Sequence, residues 1–390
     1  MSQMLSIASY LAIKEVLRNR GRFLLVGLII ALITLLVLFI AALGEGLGNG
    51  NREYISKLDA ELIVFQAKSD NLISASRLSL NRLTAVRGVE GVSDAGILGT
   101  ANANIILPEG TEPLKVALLG VEPGHIGEPK VLEGQQLSSD LAQEAILDKN
   151  TAIRSNLNVG DQVTLRVTQG TEEELYPLRV VGISDGQQYS LQPSLFVPFD
   201  TWERIRPKSE AEVNNSNPVA NVILVKLQDP SQVEEMATRL ETQVANVDAA
   251  TRAETIQALP GYSAQQSTLN TQGGFTLFIG VLVIGGFFQI QVLQKIAQIG
   301  VLKAIGASNP AVAAASVIQI IIVTVFGVAV GSLMAFLFSL TFPPTVPIVF
   351  NGTTSLIAII ALLLIGPLGG LVSTRYAVRI EPLKALGLSS

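Results

Sequence analysis

The chain has 390 residues, 48% of them hydrophobic and 15% charged, with a formal net charge of −5 and no cysteine. The missing cysteines exclude disulfides and thiol chemistry, and a single histidine, His125, excludes a metal site built on a histidine pair. Residues 45–272 carry 30 acidic and 18 basic side chains, whereas the rest carries 2 acidic and 9 basic. A net-negative segment of that size disfavours nucleic acid, whose binding needs clustered Lys and Arg.

In chain order, residues 1–22 read as a basic cytoplasmic elbow helix, with Lys14, Arg18, Arg20 and Arg22. Phe23–Leu43 follows with 21 uncharged residues, about 32 Å of helix and enough for one bilayer crossing. A cleaved signal peptide is the competing reading, but its apolar core runs only ~7–15 residues. Residues 44–272 form a large outer domain, and 273–293 a second span with no charge. Residues 294–310 are an inner loop. From Lys303 to Arg375 the chain then passes 71 residues without Asp, Glu, Lys or Arg. A charge at mid-bilayer costs roughly 2.5–3.5 kcal/mol, so this run reads as lipid-embedded. It is too long for one span and right for two, at 311–341 and 353–374, separated by an outer loop at 342–352. Phe342-Pro343-Pro344-Thr345-Val346-Pro347 makes the break, because proline lacks the amide hydrogen and clashes with the preceding turn. Lys and Arg flank the spans on one side, including the tail 375–390, which places both termini in the cytoplasm and the outer domain outside.

The expected fold class is an α-helical membrane protein with four transmembrane helices plus an α/β extracytoplasmic domain. In that domain Glu61–Phe65, Val89–Ile97, Ala101–Leu107 and Asn221–Leu227 read as strands. Ser74–Val86 and Ser231–Val244 read as helices, the latter with Ser231 as N-cap and Glu234 completing a capping box. An α/β part drawn from about 50–107 and 220–258 would then enclose a β-rich part at about 108–219. Strand signals in the middle are Leu114–Val121, Val163–Val167, Leu178–Ile183 and Ser194–Val197. The polar stretch Arg206–Val219 reads as a mobile connection.

No catalytic constellation is present. The sequence has no G-x-x-x-x-G-K-[ST], H-E-x-x-H or G-x-S-x-G motif. His125 reads as a solvated loop residue, and Glu172-Glu173-Glu174 as a solvated hairpin tip. Gly44-Glu45-Gly46 marks the outer exit of span one. The inner loop is the more telling segment: Ile296, Ile299, Val301, Leu302 and Ile305 give a short amphipathic helix, ended by Gly306 and restarted at Ser308 or Asn309 with Pro310 at N1. Its spacing fits an interfacial connector or a lever pushed by a partner below. Gly280, Gly285, Gly286 and the pair Gly327/Gly331 allow close helix packing, within one subunit or at a dimer face.

Several segments together carry a resemblance. They are Ala12–Asn19, Leu43-Gly44-Glu45-Gly46, Ile299–Ser308 (IGVLKAIGAS) and Ala377–Leu386 (AVRIEPLKAL), in a layout of one span, a large outer insertion and three more spans. In these the chain resembles, end to end, the MacB/FtsX family of ABC transporter permeases, with an outer domain similar to that family's porter and sabre pair. The resemblance implies a multi-pass protein of the bacterial plasma membrane, working as a homodimer on two copies of a separate ABC ATPase. It implies no cofactor in this chain, with ATP and Mg bound by the ATPase, and a periplasmic adaptor and membrane lipid as further partners. The inner loop would be the coupling helix, with Lys295, Gln298, Ile299, Gly300, Leu302, Lys303, Ile305, Gly306 and Ala307 facing the ATPase. Gln298 departs from the family, which often has an acidic residue there. The implied function is not enzymatic: a permease that couples ATP hydrolysis to export of a hydrophobic, lipid-like or peptide substrate by mechanotransmission. The alternatives are a regulator that uses the same motion to activate an outer hydrolase or release lipoproteins, and a membrane-anchored receptor without an ATPase.

Overall fold

The computed structural model describes residues 2–108, 111–210, 212, 218–294, 300–301, 308–342 and 348–379. The chain forms two compact units, one of residues 1–46 with 266–390 and the other of residues 47–265.

The first unit is helical. Helix α1 spans Ser2–Arg18 and α2 spans Arg20–Lys57, so the expected single elbow over 1–22 is two helices interrupted at Asn19. Later in the chain come three long helices, Tyr262–Gln294, Asn309–Ser339 and Gly352–Arg379. Among the described residues four helices are long and apolar enough to cross a membrane. The helices Arg20–Lys57 and Tyr262–Gln294 run well past the expected spans 23–43 and 273–293, because a helix continues wherever its backbone can still bond to itself, whereas Asn309–Ser339 lies wholly within the charge-free run. The third starts at Ser308, whose backbone is extended at the N-cap and whose side chain makes no capping bond, with Pro310 in the first turn. Pro367 lies inside the last helix. The inner core of this unit includes Phe23, Val26, Ile30, Ile284, Phe288, Ile320 and Val323.

The second unit is α/β. Its strands are β1 Leu62–Gln66, β2 Leu78–Ser79, β3 Val92–Ile105, β4 Leu114–Val121, β5 Val131–Gly134, β6 Glu144–Asp148, β7 Gln162–Gln169, β8 Glu172–Ser184, β9 Ser194–Pro198, β10 Val219–Ala220, β11 Val222–Leu227 and β12 Val247–Thr251. Short helices intervene: α3 Asn81–Arg87, α4 Lys149–Ser155, α5 Phe199–Ile205, α6 Val233–Gln243 and α7 Arg252–Ala258. The three long helices are accordingly α8, α9 and α10. Among the described residues ten strands form one mixed sheet in the order β12-β1-β11-β3-β4-β9-β6-β8-β5, with β7 pairing β3 and β8. The pairs β4–β9 and β6–β8 are parallel. Strand β3 joins the two ends of the segment to its β-rich middle, pairing β11 along one edge and β4 from Leu98–Val121 to Ile105–Leu114 along the other.

Both faces of the sheet are covered, so alternate residues of one strand enter different cores. Leu62 and Val64 pack with α3, α5 and α6 residues Val86, Trp202 and Leu240. Ile63 and Phe65 pack with Tyr54 and Ile55 of the last turn of α2 and with Leu58 just beyond it. The α2 end is also clamped by the loop 188–191: Leu191 N–H donates to Gly50 O at 2.8 Å, and Tyr54 N–H donates to Gln188 O at 3.1 Å. A methyl group on Gly50 would stand 3.0 Å from the Leu191 side chain, so the two segments approach closely at the glycine. Trp202 lies over β3 and β4 in the same manner, where a Cβ on Gly99 would meet its ring at 2.6 Å.

Several local expectations are corrected. The helix expected over 74–86 is the two-residue strand β2 followed by α3, because Leu78 is drawn into pairing with β10. The two strands expected at 89–97 and 101–107 are the single strand β3. Ser231 is no N-cap: Asp229 accepts its N–H at 3.0 Å and opens a 3-10 turn at Pro230–Gln232 ahead of α6. The capping box occurs instead at Thr251 and Glu254, before α7. Arg206, expected to begin a mobile connection, is buried and held by Glu203 at 2.8 Å; residues 211 and 213–217 lie outside the described set. Glu172–Glu174 are exposed at the start of β8, beside the β7–β8 turn.

His125 is more engaged than a solvated loop residue. Its Nδ1 lies 2.9 Å from Asp94 Oδ1, and Asp94 Oδ2 accepts the Ile126 N–H at 3.1 Å. Glu122 stands alongside and pairs with Arg87 at 2.6 Å. Burial opposes ionisation of Asp94, but the His125 hydrogen bond and the Ile126 and Ala95 N–H groups together hold its carboxyl below the usual range. The carboxyl ionises more easily folded than unfolded. Its contribution is therefore complete above the ordinary Asp value of about 3.9 and is lost as pH falls through the lowered folded value.

Two predictions follow from these contacts. Asp94→Asn lowers stability near neutral pH by about 0.5–1 kcal/mol, small because the pair is partly exposed. In thermal unfolding the gap to the natural protein closes on acidification through the carboxylate range; a gap independent of pH contradicts the assignment. Asp148 is fully buried and caps α4 by accepting the Thr151 N–H at 2.5 Å. Asp148→Ala is expected to cost ~1–2 kcal/mol in denaturant unfolding of the full chain.

Candidate functional site

Of the residues expected to act, Gly44, Glu45, Gly46 and Gly300 are among the described ones. At the inner end α1 packs along α9, and the Gln319 side-chain amide donates to the Glu15 carboxylate. Arg22, in the first turn of α2, donates to the side chain of Gln294, the last residue of α8. Gln294 directly precedes the inner loop, so the start of α2 is bonded to the chain entering that loop. Gly300 is helical and buried. Lys295, Gln298, Ile299, Leu302, Lys303, Ile305, Gly306 and Ala307 lie outside the described residues.

Sequence reasoning gave Glu15 and Gln319 no role. The signal was there: Glu15 is the only acid in the first 44 residues, and Gln319 the only glutamine in the charge-free run. A buried polar group in lipid needs a partner, so two isolated polar side chains on neighbouring apolar helices are candidates for each other.

The spans pack through glycine. A Cβ on Gly327 would meet Ile30 Cβ at 2.6 Å, and one on Gly331 would meet Ala31 O at 2.5 Å and Thr34 Cβ at 2.6 Å. Helices α2 and α9 thus touch backbone to backbone over this stretch. Gly285 and Gly369 make the equivalent contact between α8 and α10, where a Cβ on either would meet the other's backbone. Of the two readings left open for these glycines, packing within the chain accounts for Gly285, Gly327 and Gly331.

At the outer end, Gly44-Glu45-Gly46 sits inside α2, and the helix runs on for eleven residues to Lys57. The Leu269 side chain of α8 covers Gly44. Asn351 donates to Glu45 Oε1 at 3.3 Å, while its own Oδ1 accepts the Thr353 N–H at 3.0 Å at the start of α10. Val349 N–H donates to Ala42 O at 3.1 Å. The chain before α10 is thereby pinned to α2.

The α/β unit offers a polar cavity of about 220 Å³ beside Arg77, Asn102, Trp202, Arg206 and Asn221. Three of its polar side chains are engaged already. Arg77 donates to Ser74 O and Ser76 O, Arg206 is held by Glu203, and Asn221 accepts the Thr100 N–H at 2.7 Å. Among the described residues no three His, Cys, Asp or Glu side chains group in a way that could hold a metal.

Two family models match the sequence: the MacB-like periplasmic core domain over residues 23–243 and the FtsX-like permease C-terminal domain over residues 271–382. A protein named as the hemin transport system permease HrtB of Staphylococcus haemolyticus is 25% identical over 383 residues, covering 97% of this chain and 99% of its own. An uncharacterized ABC transporter permease of Mycobacterium tuberculosis is 22% identical over 388 residues, with the same coverage. Among solved structures, the periplasmic region of MacB from Actinobacillus actinomycetemcomitans aligns with a TM-score of 0.36 at 14% identity, covering 53% of this chain and 96% of that one. The extracellular domain of the Gram-positive transporter YknZ aligns with a TM-score of 0.35 at 14% identity, covering 49% and 99%. On the two family models, which together run from residue 23 to residue 382, the chain belongs to the MacB/FtsX-like family of ABC transporter permeases, membrane subunits that work with an ATPase partner.

Proposed function

We propose that this permease couples ATP hydrolysis by two copies of its ATPase partner to export of a hydrophobic, lipid-like or peptide substrate, by moving its helices rather than by opening an aqueous pore. The observation that carries the proposal is α2, one helix from Arg20 to Lys57. Its inner end is bonded through Arg22 to the residue before the inner loop. Its outer end places Tyr54 and Ile55 in the core of the α/β unit, with Leu58 just beyond it. A displacement delivered by the ATPase to the inner loop, with Gly300 and Ile305 at the contact, then travels along a stiff rod.

The apolar spans support the same choice. A hydrophilic solute crossing the bilayer needs charged or polar side chains along its path. The uncharged run from Ala304 to Thr374 offers few. The substrate is met outside or at the outer leaflet. The end-to-end relatives named for hemin transport make hemin, a flat and largely apolar molecule, the first candidate to test. In this reading both termini are cytoplasmic, a second copy of the chain completes the transporter, and a periplasmic adaptor extends it where an outer membrane is present.

The test is reconstitution of the permease with its ATPase in vesicles, with hemin and fluorescent lipid as substrates. ATP-dependent movement of one of them, with substrate-stimulated hydrolysis, is expected. Gly300→Asp and Ile305→Glu are each expected to cut that stimulation on the order of tenfold, a coupling loss of about 1.4 kcal/mol, while the protein remains folded. Undiminished stimulation in both variants removes the inner loop from the mechanism. Stimulated hydrolysis without movement of any hydrophobic substrate removes export.

A further inference from the structure

A cavity of about 310 Å³ lies between α2 and α9, toward the end of the helical unit where the chain passes into the α/β unit. Leu32, Leu36 and Phe39 of α2, Phe338 of α9, Phe342 just beyond it and Phe350 before α10 line it. The lining is almost wholly apolar, and its one hydroxyl, on Ser339, is turned back to donate to Phe336 O at 2.7 Å.

The cavity is built into the packing. Deeper in the unit α2 and α9 are held backbone to backbone at Gly327 and Gly331. Beyond Gly331 the α9 residues that line the cavity are Ala335, Phe338 and Ser339, two of them small, and a wedge is left between the two helices. The bonds of Val349 to Ala42 and of Asn351 to Glu45 fix the chain before α10 as its edge, and the Phe39 and Phe342 rings meet at 5.9 Å. Leu32 and Leu36 are each 49% exposed, so the wedge opens to its surroundings.

Those surroundings decide the occupant. Water gains nothing in an apolar cavity that offers it no hydrogen-bond partners. The helices are charge-free at this depth, and what surrounds them is bilayer hydrocarbon. From Leu32 to Phe39 the helix rises ~10 Å, the length of about eight extended methylene groups. Glu45 and Asn351 stand a further ~9 Å along α2, toward the depth where a lipid's polar head group begins. We propose that this wedge holds one acyl chain of a phospholipid from the leaflet facing the α/β unit, with the head group beside the Glu45–Asn351 pair. A lipid seated there props α2 apart from α9 above their glycine contact, and so sets the resting position of the rod.

The test uses the full-length permease with its ATPase in phospholipid vesicles doped with a phospholipid that carries a diazirine on its acyl chain. After irradiation the labelled residues are mapped by peptide mass spectrometry. Label is expected severalfold higher at Leu36, Phe338 and Phe350 than at Phe336, which is 59% exposed at nearly the same depth but does not line this cavity. Ser339→Phe, and independently Ala335→Trp, fill the wedge and are expected to bring Phe338 down to the level of Phe336. Equal labelling of Phe336 and Phe338 in the natural protein, or preferential labelling that survives a filling variant shown to assemble with its ATPase, overturns the proposal. Displacement of the label by added hemin, with no effect of varying the phospholipid, assigns the wedge to substrate and likewise overturns it.

Discussion

A backbone that crosses hydrocarbon must satisfy every N–H and C=O within itself, and ending a helix frees about four of each. Helix α2 meets this constraint by not ending at the membrane boundary. It begins at Arg20, passes through Gly44-Glu45-Gly46 without a break, and ends at Lys57, with Tyr54 and Ile55 of its last turn in a core of the α/β unit. Glycines inside a helix cost ~0.5–1 kcal/mol each relative to alanine. At Gly44 and Gly50 that cost is offset by close approach of Leu269 and of the Leu191 clamp. The rest of the structure is arranged on this rod. Helix α9 packs on its middle through Gly327 and Gly331, Asn351 and Val349 bond to it at Glu45 and Ala42, and Arg22 ties its foot to α8.

The two units divide the physical work. In the helical unit backbone bonds are internal and contacts are steric, so small residues decide which helices touch. In the α/β unit the sheet is covered on both sides, and strands such as β1 send alternate residues into separate cores. Tyr54, Ile55 and Leu58 share one of those cores with Ile63 and Phe65 of β1.

What was legible in the sequence follows from the range of each signal. The spans showed because the cost of burying charge acts on composition: 71 uncharged residues need no knowledge of neighbours. Strands with strong β-branched runs, such as Val222–Leu227, showed for the same local reason. The sheet order did not, because the pairing of β3 with β4 and β11 is settled between segments far apart in the chain. Local competition hid the start of α6, where Asp229 out-competes Ser231 for the free N–H groups. The site was less legible still. Glu15 and Gln319 are 304 residues apart, and Gly331 and its partner Ala31 are 300 apart, and nothing in a single sequence brings such positions together. The inner-loop motif came from family resemblance, while the Arg22–Gln294 bond that connects it to α2 came from the structure alone.

The central claim is that motion reaches the α/β unit through an unbroken α2. Its most direct test inserts two glycines after Gly46, which interrupts the rod between the units while leaving both cores intact. In vesicles containing the ATPase partner, the account predicts that ATP is still hydrolysed at the basal rate while substrate movement falls to background. Substrate movement at the natural rate, in an insertion variant shown to be folded and assembled, would contradict it.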